Sequence, residues 1–117
     1  MRLQGKIAAL FVVFGFSITG CENAEQKKLH ELNVKDVLSD AAIACINNQY
    51  SKGIKLATEA IVEAKKAGIE DYEFTGYHVR AGCYLESNDK SNAKSDYDVA
   101  CKRGDTFSCK KLSELNM

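Results

Sequence analysis

Residues 71–105 read DYEFTGYHVRAGCYLESNDKSNAKSDYDVACKRGD, and this stretch decides the fold class. Its apolar side chains recur every three or four residues in two runs, which is the spacing of amphipathic helices. Asp71 and Ser91 are residues that commonly cap helix N-termini, and Ser87-Asn88-Asp89 is a typical turn between the two runs. The stretch therefore predicts a helical hairpin in which each helix buries one face.

The apolar positions of this hairpin alternate between small and large side chains. They resemble the signature of the tetratricopeptide repeat at Tyr77, Ala81, Tyr84, Ala93, Tyr97 and Ala100. Arg80 and Asp105 depart from that family, which prefers leucine and proline at these positions. A weaker copy of the pattern lies earlier in the chain, at Val37, Ala41, Ala44, Gly53, Ala57 and Ala60. The resemblance implies a short array of α-hairpin repeats.

The neighbouring segments extend the helical pattern. Asn33 is predicted to cap the first helix, which ends at Asn47-Asn48, and the second helix runs from about Ser51 to Gly68. A short fifth helix is predicted to begin at Asp105 or Thr106. We therefore expect an all-α fold for residues 33–117, with two hairpins and a C-terminal capping helix, and a polar tether over residues 21–32.

The first twenty residues have the composition of a secretion signal. Arg2 and Lys6 precede a ten-residue apolar run at residues 7–16, and small residues follow it. The apolar segment is shorter than the roughly 20 residues that span a bilayer. The alternative is a buried N-terminal core helix, but no second apolar segment of similar strength exists to cover it.

Ile18-Thr19-Gly20-Cys21 resembles the lipobox of bacterial lipoproteins. That resemblance implies cleavage before Cys21, attachment of lipid to its sulfur, and anchoring of the exported domain in the cell envelope. Several acyl chains hold a protein stably in a membrane, whereas one holds it only marginally. Glu22 follows the cysteine rather than aspartate, which in enteric-type bacteria resembles outer-membrane sorting, with the domain facing the periplasm.

Four further cysteines remain in the exported domain: Cys45, Cys83, Cys101 and Cys109. An even number of cysteines in a small exported domain predicts disulfide bonds, and four cysteines allow three pairings. Buried free thiols are the alternative. No CxxC motif is present, and His30 and His78 lack a ligand-like spacing from the cysteines, so we expect neither a metal nor a cofactor.

Residues 100–109, ACKRGDTFSC, resemble the repeat junction of Sel1-like, cysteine-rich repeat proteins. In that family a cysteine near the end of one helix is bridged to another, eight positions later, at the start of the next helix. The resemblance implies a bond between Cys101 and Cys109. It then leaves Cys45 and Cys83, on the first helices of successive repeats, as the second pair.

The charge balance and the sequence motifs argue against two classes of function, nucleic-acid binding and catalysis. The chain has 16 basic and 16 acidic residues, and residues 21–117 are slightly acidic because Arg2 and Lys6 lie outside them, so we expect no nucleic-acid partner. Ser91 and Ser108 each begin an S-x-x-K match of penicillin-recognising serine enzymes. The companion K-T-G motif is absent, and a chain with 8 serines and 13 lysines produces such matches by chance. We therefore expect no enzyme.

Binding of another protein or peptide is the expected function. In stacked hairpins the first helix of each hairpin lines the concave side, which here predicts a partner surface at Lys35, Ala42, Thr75, His78, Gly82 and Glu86. For His78 the alternative is an ordinary packed or solvated histidine, and for Gly82 it is relief of crowding beside Cys83. Two hypotheses remain open: an adaptor of an envelope or secretion assembly, and an immunity lipoprotein that neutralises a toxin delivered into the periplasm.

Cys21→Ala should abolish lipidation, because the acyl-bearing sulfur is removed. Incorporation of labelled palmitate and the mass of the mature chain measure this, with the parent chain as control. Normal maturation and palmitate incorporation in Cys21→Ala would contradict the lipoprotein assignment.

Overall fold

The computed structural model describes the backbone of residues 19–117 and the side chains of residues 28, 29 and 31–117. Most of the predicted signal segment and the side chain of Cys21 lie outside the described residues. The all-α prediction is confirmed for residues 19–117, which form five helices and no strand. These are α1 (Thr19–Ile46), α2 (Tyr50–Ala67), α3 (Glu70–Glu86), α4 (Lys90–Lys102) and α5 (Thr106–Leu115). Within this part of the chain, no helix is long and apolar enough to cross a bilayer.

Each helix packs against the next one along the chain, and α1 also packs against α3. This arrangement is compatible with an array of two hairpins, α1–α2 and α3–α4. Helix α5 places Leu112 and Leu115 against the core cluster of Ala81, Ala93 and Tyr97. It therefore covers the end of the second hairpin, as predicted for a capping helix.

The alternation of small and large residues explains the close packing. Alanines are fully buried where two helices meet, at Ala41, Ala57, Ala64, Ala81, Ala93 and Ala100. Tyr77 and Tyr97 fill the space around them and are also buried. The small alanine side chains let the helix backbones approach closely. The large tyrosine rings fill the space beside them, so that the interior is close-packed.

Residues with positive φ end the helices. Gly68 has φ of 70° at the C-cap of α2, and its backbone N–H lies at hydrogen-bond distance from the Lys65 carbonyl oxygen. Asn48 and Asn88 adopt the same conformation, with φ of 65° and 66°. Asparagine is among the few non-glycine residues that adopt it readily, so these two turns reverse the chain without glycine.

Three predicted helix caps were wrong. Asp71 lies inside the first turn of α3 rather than capping it. Helix α1 already spans residue 19, so Asn33 lies inside it, because no proline or glycine interrupts the stretch between residues 21 and 33. Helix α4 is capped by Asp89 rather than Ser91, since the Asp89 side chain accepts a hydrogen bond from the backbone N–H of Asn92 at 3.1 Å. The helix therefore crosses residues 21–32, and their function as a tether stays a prediction.

Two disulfide bonds connect pairs of helices, one pair distant in the sequence and one pair consecutive. Cys45 is bonded to Cys83, which ties α1 to α3 with a Cα–Cα distance of 5.3 Å. Cys101 is bonded to Cys109, which ties α4 to α5 with a Cα–Cα distance of 4.6 Å. The structure thus contains the two pairs that the repeat resemblance implies.

Removing either bridge by double alanine substitution should lower the free energy of unfolding. The expected loss is about 2–3 kcal/mol for Cys101 and Cys109, and about 3–4 kcal/mol for Cys45 and Cys83, because the second pair closes a longer loop in the unfolded chain. Urea unfolding followed by circular dichroism measures both values. Titratable thiols at these four positions in exported protein, or a Cys83–Cys101 linkage in non-reducing peptide maps, would contradict the pairing.

Candidate functional site

A groove of about 440 Å³ lies between α1 and α3. Helix α1 contributes Ala42, Cys45 and Ile46, the following turn contributes Asn48, and helix α3 contributes His78, Val79, Gly82, Cys83 and Glu86. Four of the six predicted partner residues line this groove: Ala42, His78, Gly82 and Glu86. Its walls are the first helices of the two hairpins, as the repeat geometry predicts.

Two predicted partner residues do not line the groove. Lys35 is exposed on α1, about two turns before Ala42. Thr75 is exposed near the start of α3, and its hydroxyl donates a hydrogen bond to the Asp71 carbonyl oxygen at 2.8 Å. The repeat pattern assigns residues to a helix face, but the groove covers only the C-terminal half of α1 and of α3.

The Cys45–Cys83 bond belongs to the lining of the groove. Gly53 of α2 lies directly behind it. A Cβ atom at Gly53 would collide with the Cys45 sulfur and would lie 2.9 Å from the Cys83 sulfur and 3.0 Å from the Ala41 carbonyl oxygen. The glycine therefore lets three helices meet, and the covalent bond fixes the spacing of the groove walls.

Gly82 presents the opposite environment. A Cβ atom at this position would meet no neighbouring group within 4 Å. Glycine in a helix interior is less stable than alanine by about 0.5–1 kcal/mol, so a residue that relieves no crowding carries this cost without a packing gain. Apart from its chain neighbours, which include Cys83, Gly82 therefore has open space around it, and that space belongs to the groove.

His78 is held at one end of the groove by the start of α5. Its Nε2 atom lies 2.5 Å from Oδ2 of Asp105, and its ring centroid lies 4.5 Å from that of Phe107. The Ser108 hydroxyl donates to the same Asp105 oxygen at 2.5 Å. Burial raises the pKa of Asp105. The hydrogen bonds from Ser108 and His78 and the charge of His78 outweigh burial, so the pKa of Asp105 lies below its ordinary value. Asp105 is then a carboxylate that only accepts, and Nε2 of His78 donates.

This group of a serine, a histidine and an aspartate does not have the geometry of a serine nucleophile. The side chain of Ser108 is fully buried, and its hydroxyl donates to Asp105 rather than to His78. An activated serine needs its hydroxyl bonded to the base and open to substrate. Among the described side chains, those of residues 28, 29 and 31–117, no group of three or more His, Cys, Asp or Glu is placed to hold a metal ion.

A charged network on the side of α3 that faces α2 and α4 was not predicted from the sequence. Arg80 makes a two-pronged contact with Asp96, through Nε to Oδ2 at 2.9 Å and Nη2 to Oδ1 at 2.6 Å. Its Nη1 atom also donates to Thr58 Oγ1 at 3.0 Å. The hydrogen bond to Asp96 raises the pKa of Arg80, although burial opposes it. The only signal in the sequence was Arg80 itself, which replaces the leucine of the repeat pattern.

A second charged contact was also missed. Arg103, at the end of α4, donates to Glu73 and, at 3.2 Å, to Glu70, both in the first turn of α3. Its guanidinium carbon lies 5.3 Å from the centroid of the Phe74 ring. Glu73 is buried, and a buried carboxylate is stable only with such a partner. The pair fixes the end of α4 against the start of α3.

Comparisons with protein-family models, curated proteins and solved structures give no match to this chain. The lipobox, tetratricopeptide and Sel1-like resemblances therefore remain sequence-based expectations.

Gly53→Ala and Gly82→Ala form a matched pair, because both glycines lie inside helices. Gly82→Ala should raise the free energy of unfolding by about 0.5–1 kcal/mol, since the added methyl enters open space. Gly53→Ala should lower it by about 1–3 kcal/mol, since the methyl must displace the disulfide. Urea unfolding measures both. Destabilisation by Gly82→Ala would show that the glycine is required for packing and not for an open groove.

Proposed function

We propose that the chain is a lipid-anchored envelope protein that binds another protein or peptide in the groove between α1 and α3. The observation that carries this proposal is the open space at Gly82, above a floor that the Cys45–Cys83 bond holds rigid. Anchoring through Cys21 on the periplasmic side of an envelope membrane is part of the proposal and rests on the lipobox resemblance.

The rigidity of the groove supports a binding function. The disulfide joins its two walls, the Arg80–Asp96 pair ties α3 to α4, and the His78–Asp105 contact ties α3 to α5. A site whose walls are already ordered loses little conformational entropy when a ligand enters, so more of the contact free energy appears as affinity. Rigid walls on both sides of an open cleft favour recognition of a defined shape.

The chemistry of the groove indicates what kind of surface it accepts. Ala42, Val79 and the Gly82 backbone form an apolar centre, and Ile46 is 77% exposed at one edge. Asn48, His78 and Glu86 provide polar groups around it. This combination of apolar centre and polar rim is typical of protein interfaces. We infer that the partner inserts a small apolar side chain near Gly82 and places a hydrogen-bond donor or a basic group near Glu86.

The proposal is tested with three versions of the full chain: the parent, Gly82→Leu and Lys55→Leu. Leucine at position 82 adds bulk to the groove at a point where a Cβ atom has open space, whereas Lys55 is exposed on α2, away from the groove. Each version is crosslinked in envelope preparations and recovered by affinity capture. The partner is defined as the protein recovered with the parent chain and absent from a capture without bait, and its affinity for each purified version is then measured.

Binding of that partner should weaken at least tenfold in Gly82→Leu, which corresponds to about 1.4 kcal/mol, and should be unchanged in Lys55→Leu. Circular dichroism checks that both variants are folded. Equal binding by Gly82→Leu and the parent would contradict the groove assignment. A single toxic enzyme as partner would identify an immunity function, and subunits of an envelope assembly would identify an adaptor.

A further inference from the structure

Helix α1 has a second face that no other described helix covers. Its Val34, Leu38, Ala41 and Cys45 side chains are buried against α2 and α3, and the opposite side is exposed. The exposed side carries Leu29, Leu32, Ile43 and Ile46, which are 65%, 55%, 52% and 77% exposed. These four make up half of the eight large apolar side chains exposed among the described residues. Their concentration on one helix face indicates an interface.

The spacing on this face is regular. Positions 29, 32, 36, 39, 43 and 46 are separated by alternating steps of three and four residues, which is the a and d spacing of a coiled coil. The two middle positions are Asp36 and Ser39, and both are exposed. We call these six residues the outer stripe of α1. The stripe is apolar at its two ends and polar in the middle.

We propose that the outer stripe binds the outer stripe of a second copy of the chain, in antiparallel orientation about a two-fold axis. The stripe is symmetric about the point between residues 37 and 38. Reversing it pairs Leu29 with Ile46, Leu32 with Ile43, and Asp36 with Ser39 of the second copy. Layers of an antiparallel helix pair join an a position to a d position, which is the pairing obtained here.

Every position of the stripe then meets a chemically matched residue. Four layers join a leucine to an isoleucine, and two central layers place the Ser39 hydroxyl where it can donate to the Asp36 carboxylate. A polar pair in the middle of an apolar seam specifies register, because any shift leaves it facing an apolar side chain. Beside the stripe, Asp40 would be level with residue 35 of the second copy, about half a helical turn from Asn33 of that copy. The side-chain amide of Asn33 can donate a hydrogen bond to the Asp40 carboxylate.

The parallel alternative is disfavoured by the same residues. It would place Asp36 opposite Asp36 in the centre of the seam, and two carboxylates at that distance repel each other. It would also place Ser39 opposite Ser39, which leaves both aspartates without a donor. The antiparallel arrangement has neither defect, so the polar residues select the orientation as well as the register.

The dimer is measured with the full chain in a mild detergent by sedimentation equilibrium. We expect a dimer for the parent and a monomer for Leu32→Asp/Ile43→Asp, which places four carboxylates in the seam. The matched control is Val62→Asp/Val99→Asp, because these valines are 43% and 39% exposed on α2 and α4. The control should stay dimeric, and circular dichroism checks that both double variants are folded.

A parent chain that stays monomeric at its highest soluble concentration would overturn the proposal, as would a dimer that Leu32→Asp/Ile43→Asp leaves intact. Gly82→Leu should remain dimeric, so failure of the groove proposal and failure of this one are distinguishable. Ile46 borders both the groove and the stripe and is therefore left unchanged in this experiment.

Orientation is tested with introduced cysteines. The Leu29→Cys/Ile46→Cys variant should form a disulfide-linked dimer on oxidation, because residue 29 of one copy faces residue 46 of the other. Leu29→Cys and Ile46→Cys alone should give only the background of the parent chain. A strong dimer band from Leu29→Cys alone would indicate parallel pairing and would overturn the antiparallel assignment.

Discussion

The structure depends on the close approach of three helices at Gly53. The sulfur atoms of Cys45 and Cys83 lie where a side chain at residue 53 would stand, so α1 and α3 can be bonded only because α2 presents a bare backbone there. Fully buried alanines at residues 41, 57 and 81 extend this contact along the three helices. A bond between two cysteines that are 38 residues apart then sets the width of the groove that we propose binds a partner.

Helix α3 is the element to which the rest of the chain is attached. Helix α1 reaches it through the disulfide, α2 through Thr58 bonded to Arg80, and α4 through Asp96 bonded to the same arginine. The chain after α4 supplies Arg103 to Glu73 and Asp105 to His78. Removing Arg80 or Arg103 would leave the buried carboxylate of Asp96 or Glu73 without its charged partner, which is strongly unfavourable.

Helices and hairpins that depend on local residue spacing could be predicted from the sequence. Features that depend on contacts between helices could not. The alternation of alanine and tyrosine from Tyr77 to Ala100 predicted the second hairpin, since helical periodicity is written in the chain itself. Asn33 was wrongly assigned as a cap because a polar stretch can either end a helix or continue as its solvated face. Asp96 and Arg103 were missed as partners because their pairing depends on helix register, and Lys35 and Thr75 lie on the predicted face but beyond the groove.

The two proposed surfaces of α1 impose a geometric condition on each other. In the antiparallel pair, residue 21 of one copy would lie beyond the end of the other copy's α1. It would be level with the place that residue 54 would occupy if that helix continued straight past Ile46. A rise of 1.5 Å per residue then separates the two copies of residue 21 by about 50 Å. If both carry lipid, the paired α1 helices must lie along the membrane surface, since two anchors at opposite ends cannot both insert when the helices stand upright. The groove lies on the flank of α1 that Ala42 and Ile46 border, so in such a pair it would open beside the two helices rather than at their ends.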